Sequence, residues 1–253
     1  APTLQPVSAN GYINTALHTL SWSPVDNAAY YEIWVDNSTY FTSREYEAKV
    51  DAINHTLGEL TSIHPDTMIL PVAFAGLIDG KYYWRVRTYN EYDVPGAWSG
   101  YQSFTVDRLP PDVPRLYNPA VDGFTADTTP ALSVYTAGGA RYYHFQVSEF
   151  DDFSVIEAQT TYPGVTTTSW AAPLLDYGKY YWRVMTVDLA GNESPGWSEP
   201  RSFTLTFQNL PKYGAFTADT TPTFSWYGVT VATAYKLVIN NDPASPPFHY
   251  ESP

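Results

Sequence analysis

The side chains able to carry chemistry are dispersed along this sequence. His18, His55, His64, His144 and His249 are its five histidines. None stands in a His-x-x-x-His or His-Glu-x-x-His arrangement that would set two imidazoles on one helical face as zinc ligands. Cysteine is absent, so disulfide frameworks, thiolate metal sites and thiol nucleophiles drop out together. No Gly-x-Ser-x-Gly elbow presents a serine nucleophile, and no Gly-rich loop offers backbone amides to a phosphate. The runs Glu149-Phe150-Asp151-Asp152 and Asp188-Leu189-Ala190-Gly191-Asn192 contain oxygen ligands of the kind calcium takes, but Asp and Asn are also the ordinary residues of solvated turns. No catalytic residue, metal or cofactor is assigned on these patterns. Three Asn-x-Ser/Thr sequons, at Asn37, Asn54 and Asn192, are the sites where a glycan could be attached, each in an expected loop or strand end.

The charge balance narrows the partners. Twenty-six acidic residues against thirteen basic ones give a net charge of −13. That is a poor footprint for nucleic acid, whose phosphates must be met by Lys and Arg, and it is repelled by anionic lipid headgroups. The longest apolar stretch, Met68 to Ile78, contains Pro71 and is too short to span a bilayer, so no membrane insertion is expected. Aromatic residues make up 17% of the chain and prolines number 21, a composition that favours strands and interrupts helices.

The elements that must position these residues are announced by an internal repeat. Gly80-Lys81-Tyr82-Tyr83-Trp84-Arg85-Val86 returns as Gly178-Lys179-Tyr180-Tyr181-Trp182-Arg183-Val184. Each is followed by a Trp-Ser pair, Trp98-Ser99 and Trp197-Ser198, and then by Phe104-Thr105-Val106 or Phe203-Thr204-Leu205. Phe124-Thr125-Ala126-Asp127-Thr128-Thr129-Pro130 returns as Phe216-Thr217-Ala218-Asp219-Thr220-Thr221-Pro222. The repeats divide the chain into copies at 1–107 and 108–207, and a third that begins at 208 and runs to Pro253. A proline-rich linker around Leu109-Pro110-Pro111-Asp112-Val113-Pro114 joins the first two and is expected to be stiff and extended. Within a copy the residues alternate with period two. Tyr82, Trp84 and Val86 share one face of a strand, as do Tyr180, Trp182 and Val184; Tyr31, Ile33 and Val35 are matched by Tyr143, Phe145 and Val147, then by Tyr235, Leu237 and Ile239. This predicts antiparallel sheets with one buried face, and units of about 90–100 residues rich in turn residues predict sandwiches. Trp22 to Lys81 spans 59 positions against 45 from Val134 to Lys179, so the first copy carries 14 extra residues, placed at about 37–75 and read as a longer surface loop.

On these motifs the chain resembles the fibronectin type III family, in the form found on bacterial surface and secreted proteins. Trp22 and Trp226, each after a serine, match the family's strand-B tryptophan; the second copy has Val134 there, so its core must be filled in another way. Leu77-Ile78-Asp79-Gly80-Lys81-Tyr82 and Leu175-Asp176-Tyr177-Gly178-Lys179-Tyr180 match the family's Leu-x-x-Gly turn and corner tyrosine. The resemblance implies an all-β fold of tandem antiparallel sandwiches, with Tyr82 and Tyr180 hydrogen-bonded back to their turns. It also implies an extracellular place, secreted or at the cell surface. Arg85 and Arg183 share a face with Tyr83 and Tyr181, one strand from Trp98 and Trp197. Stacked Arg–Trp contacts there would brace the sheet, and exposed Tyr and Trp faces would alternatively suit sugar rings.

The third copy holds counterparts of only the early strands. Its inward set, Trp226, Tyr235, Leu237 and Ile239, would lack an opposite face, and leaving such side chains exposed forfeits about 1.5–3 kcal/mol each. They are therefore a candidate assembly surface, to be covered by further domains of a longer chain or by another copy of the protein. Recurrence at equal spacing is what a folding requirement leaves behind, whereas an active site would be singular. The expected function is a non-enzymatic structural or adhesive module, acting as a stalk, surface-layer or filament-forming repeat. The other class of reading is a glycan-binding accessory region of a secreted polysaccharide-degrading enzyme.

Overall fold

The computed structural model describes residues 1–15, 17–51, 68–73, 77–206, 208–210, 223–226, 238–239 and 250–251. The first unit contains β1 (Tyr12–Ile13), β2 (Leu17–Trp22), β3 (Tyr30–Asp36), β4 (Tyr46–Asp51), β5 (Met68–Ala73), β6 (Gly80–Tyr89) and β7 (Gln102–Val106). One sheet runs β1-β7-β6-β3-β4, antiparallel except where β1 lies parallel to β7. The other layer pairs β2 with β5, and Leu4 bridges to Trp22. Period-two alternation decides which face is buried. In β6, Tyr82, Trp84 and Val86 are 3%, 0% and 0% exposed, while the residues between them are outward. They meet Leu20, Trp22, Tyr31, Ile33, Val35 and Phe104 in one cluster.

The second unit repeats this order. It contains β8 (Leu116–Asn118), β9 (Gly123–Thr125), β10 (Ala131–Val134), β11 (Tyr142–Ser148), β12 (Ala158–Gln159), β13 (Ser169–Ala171), β14 (Gly178–Val187) and β15 (Arg201–Leu205). The sheets are β12-β11-β14-β15-β9 and β13-β10-β8. β9 runs parallel to β15 as β1 does to β7, and Ser148↔Tyr181 in β11–β14 matches Asp36↔Tyr83 in β3–β6. The strand that follows β11 joins the β14 edge sheet rather than the β10 layer, which gives each sandwich fibronectin type III-like topology. A second cluster, formed by Leu132, Phe145, Trp182, Val184, Phe203 and their neighbours, makes a separate core.

Two sequence expectations are sharpened. The loops 37–45 and 149–157 between β3–β4 and β11–β12 are of equal length, so the extra residues of the first unit do not begin at 37. They follow Tyr46, where β4 is longer than β12 and the path continues into residues outside the described set. The place of the missing strand-B tryptophan is compensated across the sheet. Trp170 on β13 is paired with Leu132, where Leu70 is paired with Leu20 in the first unit, and its ring lies 5.8 Å from Phe145. A large side chain has moved from one strand to its neighbour while the interior stays filled.

After 207, β16 (Gln208–Leu210) pairs with β17 (Ser225–Trp226), and β18 (Val238–Ile239) with β19 (Tyr250–Glu251), both antiparallel. These pairings parallel β8–β10 and β11–β12. The backbones of Trp226 and Ile239 are described, but their side chains, together with Tyr235 and Leu237, lie outside the described residues, as does the assembly surface they were expected to form.

Candidate functional site

The most conspicuous repeated residues converge on the outer face of the five-stranded sheets. In the second unit, the Arg183 guanidinium lies 4.0 Å over Phe153 and 4.4 Å over Trp197, and its Nε and Nη2 donate to Gln146 Oε1 at 3.0 and 2.9 Å. In the first, Arg85 lies 4.1 Å over Phe41 and 4.3 Å over Trp98, with Trp34 on the same stack. Arg44 and Arg87 extend the stack on either side, at 4.6 Å from Trp34 and 4.5 Å from Trp98. The serine after each tryptophan explains why the ring is held in place. Ser99 N donates to Val86 O and its Oγ accepts from Val86 N at 3.0 Å; Ser198 makes the same two bonds with Val184. Trp-Ser is thus a clasp that ties the segment after β6 or β14 back to that strand and lays an indole on the arginine.

Under the stack of the first unit sits Glu32, 3% exposed. It accepts from Arg87 Nε at 2.6 Å, Tyr89 Oη at 2.9 Å and Trp34 Nε1 at 3.0 Å. Burial pushes this carboxyl up, but the bonds from Arg87, Tyr89 and Trp34 outweigh it and hold the group below the usual glutamate range. The corresponding place in the second unit is taken by His144, whose Nδ1 lies 3.0 Å from Thr160 Oγ1 and whose ring is 5.4 Å from Trp197. Burial pushes its pKa down, partly offset by Glu193. One fold position thus carries an ion-paired acid in one copy and a buried imidazole in the other.

The corner tyrosines are inward, and each donates its hydroxyl to a carbonyl of the preceding turn. Tyr82 reaches Ile78 O at 2.9 Å and Tyr180 reaches Asp176 O at 3.1 Å. Trp22, Trp84 and Trp182 are fully buried, with indole N–H groups that have no hydrogen-bond partner among the described residues. Their role is to fill volume. Tyr83 and Tyr181, the alternative sugar platform, are half-buried; Lys81 Nζ lies 5.4 Å over Tyr83, Tyr101 stands edge-on to it, and Lys179 Nζ lies 5.1 Å over Tyr181.

Asn37 is exposed, with Nδ2 bonded to Glu45 at 2.6 Å. Asn54 lies outside the described residues. Asn192 is half-buried, and its Nδ2 donates to Asp107 O at 2.9 Å and Asp188 Oδ2 at 2.8 Å. A glycan on that nitrogen would replace one of its two hydrogens and remove one of these bonds. The acidic runs considered for calcium are not brought together: 149–152 follows the end of β11, and 188–192 leaves β14 at the opposite end of the same sheet, where Val187 pairs with Tyr142. Among the described residues no group of three or more His, Asp or Glu side chains converges as metal ligands.

Sequence reasoning missed Phe41 and Phe153, the second slices of bread around Arg85 and Arg183. Their signal was present: each lies five positions after the last residue of its strand, Asp36 or Ser148, and each takes a positive φ, 54° and 57°. Glu32 and His144 were invisible because the repeat does not conserve their type.

No protein-family model matches the chain, and no curated protein matches it. Among solved structures, the FN1-FN3 domains of chicken CNTN1 align at 13% identity over 81% of this chain and 67% of that chain, with a TM-score of 0.48. The fibronectin(III)-like modules of Clostridium thermocellum CbhA align at 12% identity over 81% of this chain and 93% of that chain, with a TM-score of 0.45. The BSP domain of a biofilm associated protein aligns at 17% identity over 81% of this chain and 29% of that chain, with a TM-score of 0.27. At these values the description of the chain as all-β sandwiches of fibronectin type III-like topology rests on the strand order itself.

Proposed function

We propose that the chain is a non-enzymatic extracellular module of a cell-surface protein, whose sandwiches act as spacer and packing units in a stalk, surface layer or filament. The observation that carries this reading is the use made of the repeated residues. Gly-Lys-Tyr-Tyr-Trp-Arg-Val and Trp-Ser go into a core, a corner and an arginine clasp in both units, at the same register. Residues so employed support a scaffold rather than a reaction centre. The cations and the ring edge packed on Tyr83 and Tyr181 weigh against a sugar platform there. No helix of the described residues is long and apolar enough to cross a membrane. The partners are further domains of a longer chain or other copies of it, meeting the third copy.

Sedimentation velocity in dilute neutral buffer, with limited proteolysis alongside, tests this. A species near 28.3 kDa whose region after 208 is quickly digested supports a spacer that continues into further domains. A large polymer in which that region resists protease supports a filament subunit completed by its neighbours. Turnover of a polysaccharide by the purified chain would overturn the reading.

A further inference from the structure

The geometry points to a locked joint: the first two sandwiches move as one body because the loop after β14 is keyed, through Asn192, onto the end of β7. This concerns the joint itself and holds independently of what the chain binds or where it resides.

The free length between the units is very short. Arg108 belongs to the first unit, donating from its backbone N to Asp79 Oδ2 at 3.1 Å and from Nη1 to Leu77 O at 2.9 Å. Asp112 belongs to the second, with its N bonded to Gly138 O at 2.9 Å and its O accepting from Thr186 Oγ1 at 2.7 Å. Pro111 is already buried, and Gly139 (φ +73°) approaches so closely that a Cβ there would sit 3.3 Å from Pro111 Cα. Only Leu109 and Pro110 remain exposed between the two anchor points.

Two side-chain amides then cross the seam. Asp107 is fixed to the first unit by its N–H to Ile13 O at 2.9 Å, and its carbonyl accepts from Asn192 Nδ2. Asn192 is in turn set by Asp188, 5% exposed, whose carboxylate accepts both the Asn192 backbone N–H and its side-chain amide at 2.8 Å. From the other side, Asn10 Nδ2 donates to Leu189 O, while its Oδ1 is held by Tyr12 N at 3.0 Å. A cleft of about 390 Å³ lined by Ser8, Tyr12, Tyr162 and Leu189 lies beside these bonds, so the loop is not packed on every side. Linked domains move relative to one another unless their interface prevents it, and here a two-residue gap bridged at two points does so. The first unit has no asparagine at the equivalent place. In the corresponding loop of the first unit, Asn90 Oδ1 accepts from Tyr92 N and Val94 N, and Val94, 56% exposed, stands five residues after Tyr89 as Asn192 does after Val187.

Because the chain has no cysteine, Glu91→Cys and Glu157→Cys place one spin label on each unit at exposed positions of the full chain. Pulsed electron–electron distance measurement is expected to give one narrow distribution. Asn192→Ala is expected to widen it about twofold or more, and Asn10→Asp, which keeps the acceptor for Tyr12 N and removes the donor to Leu189, to widen it less. The unfolding midpoint of the second unit in each variant shows that the sandwich is intact. A broad distribution in the parent chain overturns the proposal, and so does an unchanged distribution in a folded Asn192→Ala and Asn10→Asp double variant.

Discussion

Tyr180 puts a buried ring 5.8 Å from Phe203 while its hydroxyl reaches the Asp176 carbonyl, so the ring and the hydroxyl can be tested apart. Tyr180→Phe keeps the ring and removes the bond; it is expected to destabilise the second unit by about 0.5–1.5 kcal/mol in urea unfolding. Tyr82→Phe should do the same to the first, and an unchanged midpoint would remove the corner role. Arg183 poses a different question, since it is flanked by two rings and bonded to Gln146. A double-mutant cycle of Arg183→Ala and Trp197→Ala is expected to show a coupling of about 0.5–2 kcal/mol. Additive losses would mean that the stack contributes only area. Both motifs were legible from residue types and spacing, because recurrence marked them. Phe153 was not, because its contact with Arg183 needs the β11–β12 loop to fold back over β14.

Strands that are alike in order differ in what they tolerate. In β3, Glu32 has a lowered pKa, so it contributes stability above its ordinary value of about 4.5 that is lost as pH falls through the folded value. In β11, His144 has its pKa lowered by burial. The unfolded chain therefore takes up the proton first, and stability is lost as pH falls below about 6.5 toward the folded value. Acidification from neutrality is thus expected to weaken the second unit before the first. Unit-resolved melting between pH 7 and pH 4 checks the order, and His144→Phe should flatten the early loss; a second unit indifferent to pH above 5 would refute it. Alternation of apolar and polar residues showed which face of β3 and β11 turns inward. It did not show that the outer face is itself half-covered, since burying Glu32 and His144 requires side chains from β6, β7's approach and β12's neighbourhood to close over them.

For the whole molecule, the described residues form two separate hydrophobic clusters, and side-chain amides of Asn192 and Asn10 bond across the seam between them. Scanning calorimetry of Trp182→Phe is expected to lower one transition by several degrees and leave the other in place, because a ring lost from one core leaves no cavity in the other. A single transition that shifts as a block would show that the joint transmits stability as well as position. The linker could be read as stiff from its prolines. In the structure it is also held by its surroundings: Gly138 and Thr186 bond Asp112, Gly139 lies against Pro111, and Asn192 bonds Asp107, in addition to the ring constraint on each proline's φ.

Repetition and period-two alternation determined, without coordinates, the kind of unit, the inward residues of the first two and the turn that holds each corner tyrosine, because these depend on neighbours within a few positions or on a pattern that recurs. The partners of Arg85 and Arg183, the exchange of Trp22 for Trp170, and the keying of Asn192 onto Asp107 were decided only in three dimensions. Each depends on a contact between residues distant in sequence, whose energy is set by distance and burial rather than by residue type. Asn192 shows the difference most plainly: as a sequence it is a sequon in a turn, and in the folded chain its amide is a fastener between two domains.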